Sequence, residues 1–226
     1  ENKAPSFPAD FTARDSRLLF LPMAGLFLMG LSGVLDLIAG LGLTETLLQG
    51  VVSAADPSGM TSVVAISSSD GYSPQAHLIL GVLDLVSAAG LFFAVRACGI
   101  KQRHNRLRFN GTWLLAPVLA MAVRLVLAYR VDSVNPALEA YHVELLALVF
   151  LNLAFYRFSS FSFGSGQTRR FALYTCCAVV LCMAAFCDSC SISARFLEIG
   201  GGPCVLGFLL LHLTAAPTSE PSGDSG

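Results

Sequence analysis

Charged side chains are scarce in this sequence. Asp, Glu, Lys and Arg make up only 13% of its 226 residues, whereas soluble globular domains use about 25%. A chain this poor in charge cannot cover a folded surface with solvated groups, so an ordinary soluble domain is excluded. The sequence has 54% hydrophobic residues and a mean hydropathy of +0.67. This composition instead predicts a protein that lies in the lipid bilayer, so we expect the bilayer to be a partner of the chain.

Several signatures of soluble function are also missing. The formal net charge is only −1, so no overall basic field would attract nucleic acid, and we expect no nucleic-acid partner. No Walker A loop, G-x-S-x-G motif or H-E-x-x-H motif occurs in the chain. The histidines are scattered and give no metal-binding spacing. We therefore expect no metal, no cofactor and no catalytic residue, and the sequence favours a protein that is not an enzyme.

Long hydrophobic runs are what the sequence has in abundance. A helix needs about 20 apolar residues to cross about 30 Å of hydrocarbon, and separate runs approach or exceed that length. The predicted fold is all-α, a bundle of six transmembrane helices within 18–213. An N-terminal tail at 1–17 precedes the bundle, and a C-terminal tail at 214–226, rich in Ser, Pro and Gly, is predicted to be disordered. The predicted spans are 18–43, 77–97, 112–129, 138–156, 171–187 and 193–213.

The distribution of basic residues predicts the orientation of these spans. Cytoplasmic segments of membrane proteins carry the excess of Lys and Arg. The first connection, 44–76, has no basic residue, and the third and fifth have only Arg130 and Arg195. The N-terminal tail and the second and fourth connections together hold eleven. We therefore place both termini in the cytoplasm, and we expect the cytoplasmic membrane of a bacterium. The eleven residues are Lys3, Arg14, Arg17, Arg96, Lys101, Arg103, Arg106, Arg108, Arg157, Arg169 and Arg170.

The outside connection 44–76 is the longest one between two predicted spans. Turn signals at 56–59 and 69–71 flank an apolar run at 60–66. Connections of this length are either functional or disordered. It is therefore predicted to be either a lid over the outer mouth of the bundle or a mobile surface loop.

One pentapeptide, Gly-Val-Leu-Asp-Leu, occurs twice, at 33–37 and at 81–85. The two copies fall on successive, antiparallel predicted helices, and the flanking residues do not extend the match. We attribute the repeat to chance in a chain rich in Leu and Gly, although each copy carries an aspartate.

Ionisable side chains are rare within the predicted spans, and the four clearest ones fall at one level. Counted at about 1.5 Å per residue from the predicted outer helix ends, Asp36, Asp84, Arg124 and Glu144 lie about 8–10 Å deep. Small residues flank each of them at helical spacing, which is typical of helix–helix contact rather than of exposure to lipid. We therefore predict that these charges converge in the outer half of the bundle and that Asn152 extends the polar stripe inward.

Two interpretations of these charges stay open. A charged residue at the centre of a membrane helix costs roughly 2.5–3.5 kcal/mol on insertion scales, so such residues usually pair. In the first interpretation, three carboxylates exceed one guanidinium, and a proton, an ion or a small cationic solute binds there or is transported. In the second, Arg124 clamps the acids, and the chain is a structural or accessory subunit beside other membrane subunits. A wet cavity beside Asp36 and Asp84 would favour the first interpretation, and carboxylates packed dry against Arg124 would favour the second.

Two of the seven cysteines have a spacing associated with chemistry. Cys187 and Cys190 form a C-x-x-C pair at the outer end of the fifth predicted span, which is the spacing of thiol–disulfide centres and of half a zinc site. No second such pair and no βαβ pattern accompanies them. A redox centre, an incidental disulfide and two plain thiols are the alternatives.

Overall fold

The structure of the chain, a computed structural model, describes residues 11, 16–43, 72–99, 111–132, 141–188 and 192–215. These residues form helices and turns, and no strand occurs among them. Short 3₁₀ turns at Ser16–Leu19 and Gly111–Leu114 lead into the first and third helices. The helices are α1 (Phe20–Gly40), α2 (Pro74–Gly99), α3 (Leu115–Asp132), α4 (Tyr141–Ser162), α5 (Thr168–Asp188) and α6 (Ile192–Ala215).

Each of α1 to α6 is long and apolar enough to cross a membrane. Over the described residues, this confirms the prediction of an all-helical chain with six candidate spans. Apart from the fourth, the boundaries agree with the prediction to within three residues. The apolar stretches are Arg17–Gly40, Pro74–Cys98, Gly111–Arg130, Val143–Ser162, Thr168–Phe186 and Ile192–Ala215.

The fourth helix ends later than predicted, at Ser162. The prediction ends it just before Arg157, because a basic residue after an apolar run resembles a cytoplasmic flank. In the structure, the guanidinium carbon of Arg157 lies 5.6 Å and 5.9 Å from the ring centres of Tyr156 and Tyr174, which are cation–π distances. The hydroxyls of Ser159 and Ser160 donate to the Tyr156 carbonyl. These contacts let the helix continue past a charge and two hydroxyls.

The six helices of the described chain form a closed ring in the order of the sequence. Each contacts the next one along the chain, and α6 returns to pack against α1. Glycines make the α1–α6 contact close, because a Cβ atom added to Gly25 would lie 2.5 Å from the carbonyl oxygen of Gly200. A Cβ atom added to Gly200 would lie 2.7 Å from the carbonyl oxygen of Gly25. Small residues of this kind allow helix backbones to approach closely.

The repeated pentapeptide lies at the contact between α1 and α2. A Cβ atom on Gly33 would lie 3.2 Å from the carbonyl oxygen of Gly81, and one on Gly81 would lie 2.8 Å from that of Gly33. Leu37, the last residue of the first copy, also lies against Gly81, the first residue of the second. The copies therefore run antiparallel, side by side, and this pairing brings Asp36 and Asp84 to similar heights.

Aromatic side chains fill the bundle near the C-terminal ends of α4 and α6. Phe158 and Phe208 have ring centres 4.2 Å apart, and Phe171 stacks on Phe158 at 6.1 Å. Phe11, which the prediction places in the N-terminal tail, is fully buried and packs edge-to-face on Phe158 at 5.3 Å. One residue of the predicted tail thus belongs to the core.

Candidate functional site around Arg124

Polar side chains from α1, α2, α3 and α6 meet at the N-terminal end of α6. We call this group the Arg124 cluster, after the residue at its centre. None of its members is more than 7% exposed. Charged and hydroxyl groups buried to this degree need partners inside the protein. The members are Ser32, Asp36, His77, Asp84, Arg124 and Ser193.

The guanidinium group of Arg124 bonds to both aspartates. Its Nη1 donates to Asp36 Oδ2 at 3.1 Å and to Asp84 Oδ2 at 2.9 Å, and both contacts are salt bridges. Its Nη2 donates to the hydroxyl of Ser193 at 3.1 Å. Hydrogen bonds between ionised groups are about twice as strong as neutral ones. One side chain of α3 therefore joins α1, α2 and α6.

His77 contacts the second oxygen of Asp36. The distance between His77 Nδ1 and Asp36 Oδ1 is 3.2 Å, and the ring of Tyr72 packs edge-to-face on the imidazole with ring centres 5.5 Å apart. The sequence prediction does not include His77 in the site. The spacing of His77 could have indicated its membership. It lies seven residues before Asp84 on α2, and two helical turns place both residues on the same face of the helix.

Two serines complete the cluster on the side of α1 and α6. Ser32 Oγ donates to the carbonyl oxygen of Ser193 at 2.8 Å, and the two hydroxyl oxygens lie 3.1 Å apart. Ser32 stands one helical turn before Asp36. Ser193, in the first turn of α6, is absent from the predicted site because a hydroxyl at a helix start resembles an ordinary cap.

The cluster holds more negative than positive charge when His77 is neutral. Asp36 and Asp84 share the single guanidinium, which leaves a formal charge of −1. Both oxygens of Asp36 are bonded, whereas Asp84 Oδ1 is buried and has no hydrogen-bond partner among the described residues. Unbalanced charge inside an apolar bundle is unfavourable unless a proton or another cation offsets it.

Glu144 lies near the cluster, closer to its helix end than the sequence predicts. α4 begins at Tyr141, so Glu144 falls in the first turn of that helix, where the helix dipole stabilises negative charge. It is half-buried and interacts electrostatically with Arg124. The structure thus brings Asp36, Asp84 and Arg124 into direct contact, and Glu144 lies within electrostatic range of Arg124.

Asn152 lies away from the cluster. It follows Glu144 by eight residues on α4, which is about 12 Å along the helix axis. Its Oδ1 is buried and has no hydrogen-bond partner in the part of the chain that the structure describes. The predicted polar stripe therefore consists of two separate polar positions on α4.

Two other predicted features fall largely outside the described residues. Of the connection 44–76, the structure describes only the last five residues, so the predicted lid stays a prediction. Cys187 is the penultimate residue of α5, and Cys190 lies outside the described residues. The C-x-x-C pair likewise stays a prediction.

A cavity of about 550 Å³ lies between α1 and α2, and we call it the α1/α2 groove. Apolar side chains and a glycine line it, between Met23 and Val34 on α1 and between Leu85 and Phe93 on α2. No member of the Arg124 cluster lines it. This groove is therefore not the wet cavity beside Asp36 and Asp84 that would favour the first interpretation. The direct contact of both carboxylates with Arg124 favours the second interpretation, and the uneven charge of the cluster is what supports the first.

Neither metal ligation nor similarity to known proteins assigns a role to the cluster. Among the described residues, no group of three or more His, Cys, Asp and Glu side chains could hold a metal ion. Comparison of the chain with protein-family models, with curated protein sequences and with solved structures gives no match. A functional assignment therefore rests on the geometry and charge of the described residues.

Proposed function

We propose that this chain is a multi-pass integral membrane protein that binds a small cation at the Arg124 cluster, with a proton as the simplest candidate. The observation that carries the proposal is the unbalanced charge. Asp36 and Asp84 share one guanidinium, and Asp84 Oδ1 has no hydrogen-bond partner among the described residues. The apolar helices support insertion into a bilayer, and the asymmetry of basic residues supports cytoplasmic termini.

The proposed cation would neutralise the cluster. Arg124 donates to the Oδ2 atom of each aspartate. The Oδ1 atoms are therefore the ones that a cation could contact. Asp36 Oδ1 already contacts the imidazole of His77, and Asp84 Oδ1 offers a second acceptor. A cation bound at Asp84 Oδ1 would bring the formal charge of the cluster to zero.

A proton suits the geometry better than a larger solute. The carboxylates contact Arg124 at hydrogen-bonding distance, and a proton needs no space beyond an existing polar contact. Binding is the minimal form of the function. Transport would add release of the cation on the other side of the membrane, and proton flux into liposomes that contain the purified protein would measure it.

The second candidate function is structural. The direct contacts of Arg124 with Asp36, Asp84 and Ser193 join helices that are far apart in the sequence, and a subunit whose charges only clamp its helices would need these same contacts. The two candidates differ in one respect. A proton held by the native cluster makes the protein less stable as the pH rises, whereas a clamp of ionised carboxylates loses stability only as the pH falls.

Thermal unfolding of the purified protein in detergent micelles tests the proposal. The unfolding temperature would be measured between about pH 5 and pH 8, and with sodium or potassium chloride against choline chloride at equal ionic strength. If the native state holds a proton that the unfolded chain releases, stability falls as the pH rises. We expect this response in the native sequence and its loss in Asp84→Asn.

Glu198→Gln is the matched control, because Glu198 is a buried carboxylate of α6 that is not a member of the cluster. This variant should keep the response to pH or cations. Loss of stability in Asp84→Asn by the same amount under every condition would favour the structural candidate. A native protein that responds to neither pH nor any of these cations would eliminate the cation site.

A further inference from the structure

The α1/α2 groove has the length of one bilayer leaflet. From Met23 to Val34 it covers eleven residue steps of α1, or about 16 Å at the helical rise. The hydrocarbon core of a bilayer is about 30 Å thick, so one leaflet occupies about half of that. Phe27, which lines the groove, is 72% exposed. The groove is therefore open sideways along its length, toward the space that lipid would occupy.

The lining of the groove has the chemistry of a site for a hydrocarbon chain. On α2 it includes Leu85, Ala89 and Phe93, which recur every four residues and so follow one face of the helix. On α1, Gly30 widens the groove, because a Cβ atom there would meet only the methyl group of Ala88, at 3.8 Å. An apolar ligand without hydrogen-bonding groups fits such a surface.

A basic residue stands at one end of the groove. Arg96 follows Phe93 by three residues and Phe92 by four, so it continues the stripe of lining residues on α2 by about one turn. It lies in the last turn of the helix and is exposed. A guanidinium binds phosphate through paired hydrogen bonds. The groove thus combines an apolar channel one leaflet long with a phosphate-binding side chain at its end.

We infer that the α1/α2 groove binds an anionic phospholipid of the surrounding bilayer, with one acyl chain between α1 and α2 and its phosphate on Arg96. The position of Arg96 agrees with the predicted orientation, in which it faces the cytoplasm, since the cytoplasmic leaflet carries the anionic lipids. The inference rests on the membrane insertion in the proposed function. It does not depend on the cation at the Arg124 cluster.

Lipid retention by the purified protein tests the inference. The protein would be exchanged into micelles that contain equal amounts of phosphatidylglycerol and phosphatidylcholine, and bound lipid would be counted by native mass spectrometry. We expect retention of phosphatidylglycerol over phosphatidylcholine, and a loss of that preference by about five-fold in Arg96→Gln, the effect of one basic residue at an anionic surface. Gly30→Leu should reduce retention of both lipids, because its side chain fills the groove.

Matched controls come from α5, which packs against α4 and α6 and does not line the groove. Arg170→Gln removes an exposed arginine at the start of α5, and Ala184→Leu enlarges an exposed side chain in the same helix. Both should leave lipid retention unchanged. Equal retention of the two lipids by the native protein, or an unchanged preference in Arg96→Gln, would overturn the inference. Resistance to alkaline extraction from membranes checks insertion separately, so a failure of the lipid site can be told from a failure of the proposed function.

Discussion

Arg124 donates to two carboxylates through one nitrogen atom, and this makes each charge of the cluster dependent on the others. Nη1 lies 3.1 Å from Asp36 Oδ2 and 2.9 Å from Asp84 Oδ2, so loss of the guanidinium leaves both acids uncompensated. Loss of one acid, by contrast, leaves a matched pair. The energetic effects of changing these residues should therefore be strongly unequal and should not add.

Replacement of Arg124 by Gln should lower the free energy of unfolding by roughly 3–5 kcal/mol, the cost of breaking a buried ion pair by removing one partner. The double variant Arg124→Gln/Asp84→Asn should recover part of this loss, because one uncompensated carboxylate disappears. Denaturant titration in mixed micelles would measure both values. If the double variant is less stable by the sum of the two single effects, the direct coupling of Arg124 and Asp84 is wrong.

At the residue scale, the sequence predicts the charged members of the site and misses the neutral ones. Asp36, Asp84 and Arg124 stand out because charges are rare in apolar runs. Ser193 and His77 do not stand out, since hydroxyls and neutral imidazoles are tolerated at helix ends and in protein cores. Their roles depend on contacts between helices, between α1 and α6 for Ser193 and between α1 and α2 for His77, which only the assembled bundle specifies.

Glycine pairs determine how closely α1 approaches its neighbours, and the Arg124 cluster depends on that approach. Gly33 and Gly81 bring the two aspartate-bearing helices together, and Gly25 and Gly200 do the same for α1 and α6. Ser32 can reach the carbonyl oxygen of Ser193 because the latter two helices are close. The geometry of the site is thus a consequence of backbone contact at glycine.

Substitution of Gly81 by Ala should destabilise the protein by roughly 1–3 kcal/mol, the usual cost of overpacking. Its Cβ atom would lie 2.8 Å from backbone atoms of Gly33 and Leu37, so the helices must separate. Gly30→Ala is the control, since its Cβ atom would meet Ala88 at an ordinary 3.8 Å. That change should be neutral or stabilising by up to about 1 kcal/mol through helix propensity. Equal unfolding free energies for the two variants would contradict close packing at Gly81.

At the element scale, hydropathy predicts the helices well and their ends less well. The fourth helix differs most, because a hydropathy pattern treats Arg157 as a boundary while the rings of Tyr156 and Tyr174 accommodate it. The repeated pentapeptide resembles chance in the sequence, yet its two copies pack against each other. Both differences arise from contacts between helices, which the pattern along one helix does not contain.

For the whole molecule, the sequence predicts the number of helices in the described chain and the contacts between successive helices, but not the contact that closes the ring. Short connections favour contact between successive helices, and the structure has these contacts. Nothing in the sequence indicates the contact between α1 and α6 that closes the ring. Glycines lie at this contact, but glycines are frequent in membrane helices generally. The position of Phe11 in the core is similarly a result of the aromatic surroundings that α4 and α6 provide.

Membrane topology is the basis of the proposed function and of the lipid site. Reporter domains inserted into the connections would map it in a bacterial host, with alkaline phosphatase active outside the cytoplasm and green fluorescent protein fluorescent within it. We predict phosphatase activity for insertions at 44–71, 133–140 and 189–191, and fluorescence for insertions at 100–110, 163–167 and 216–226. Two successive connections on the same side of the membrane, or fluorescence at every position, would contradict a chain that crosses the bilayer six times.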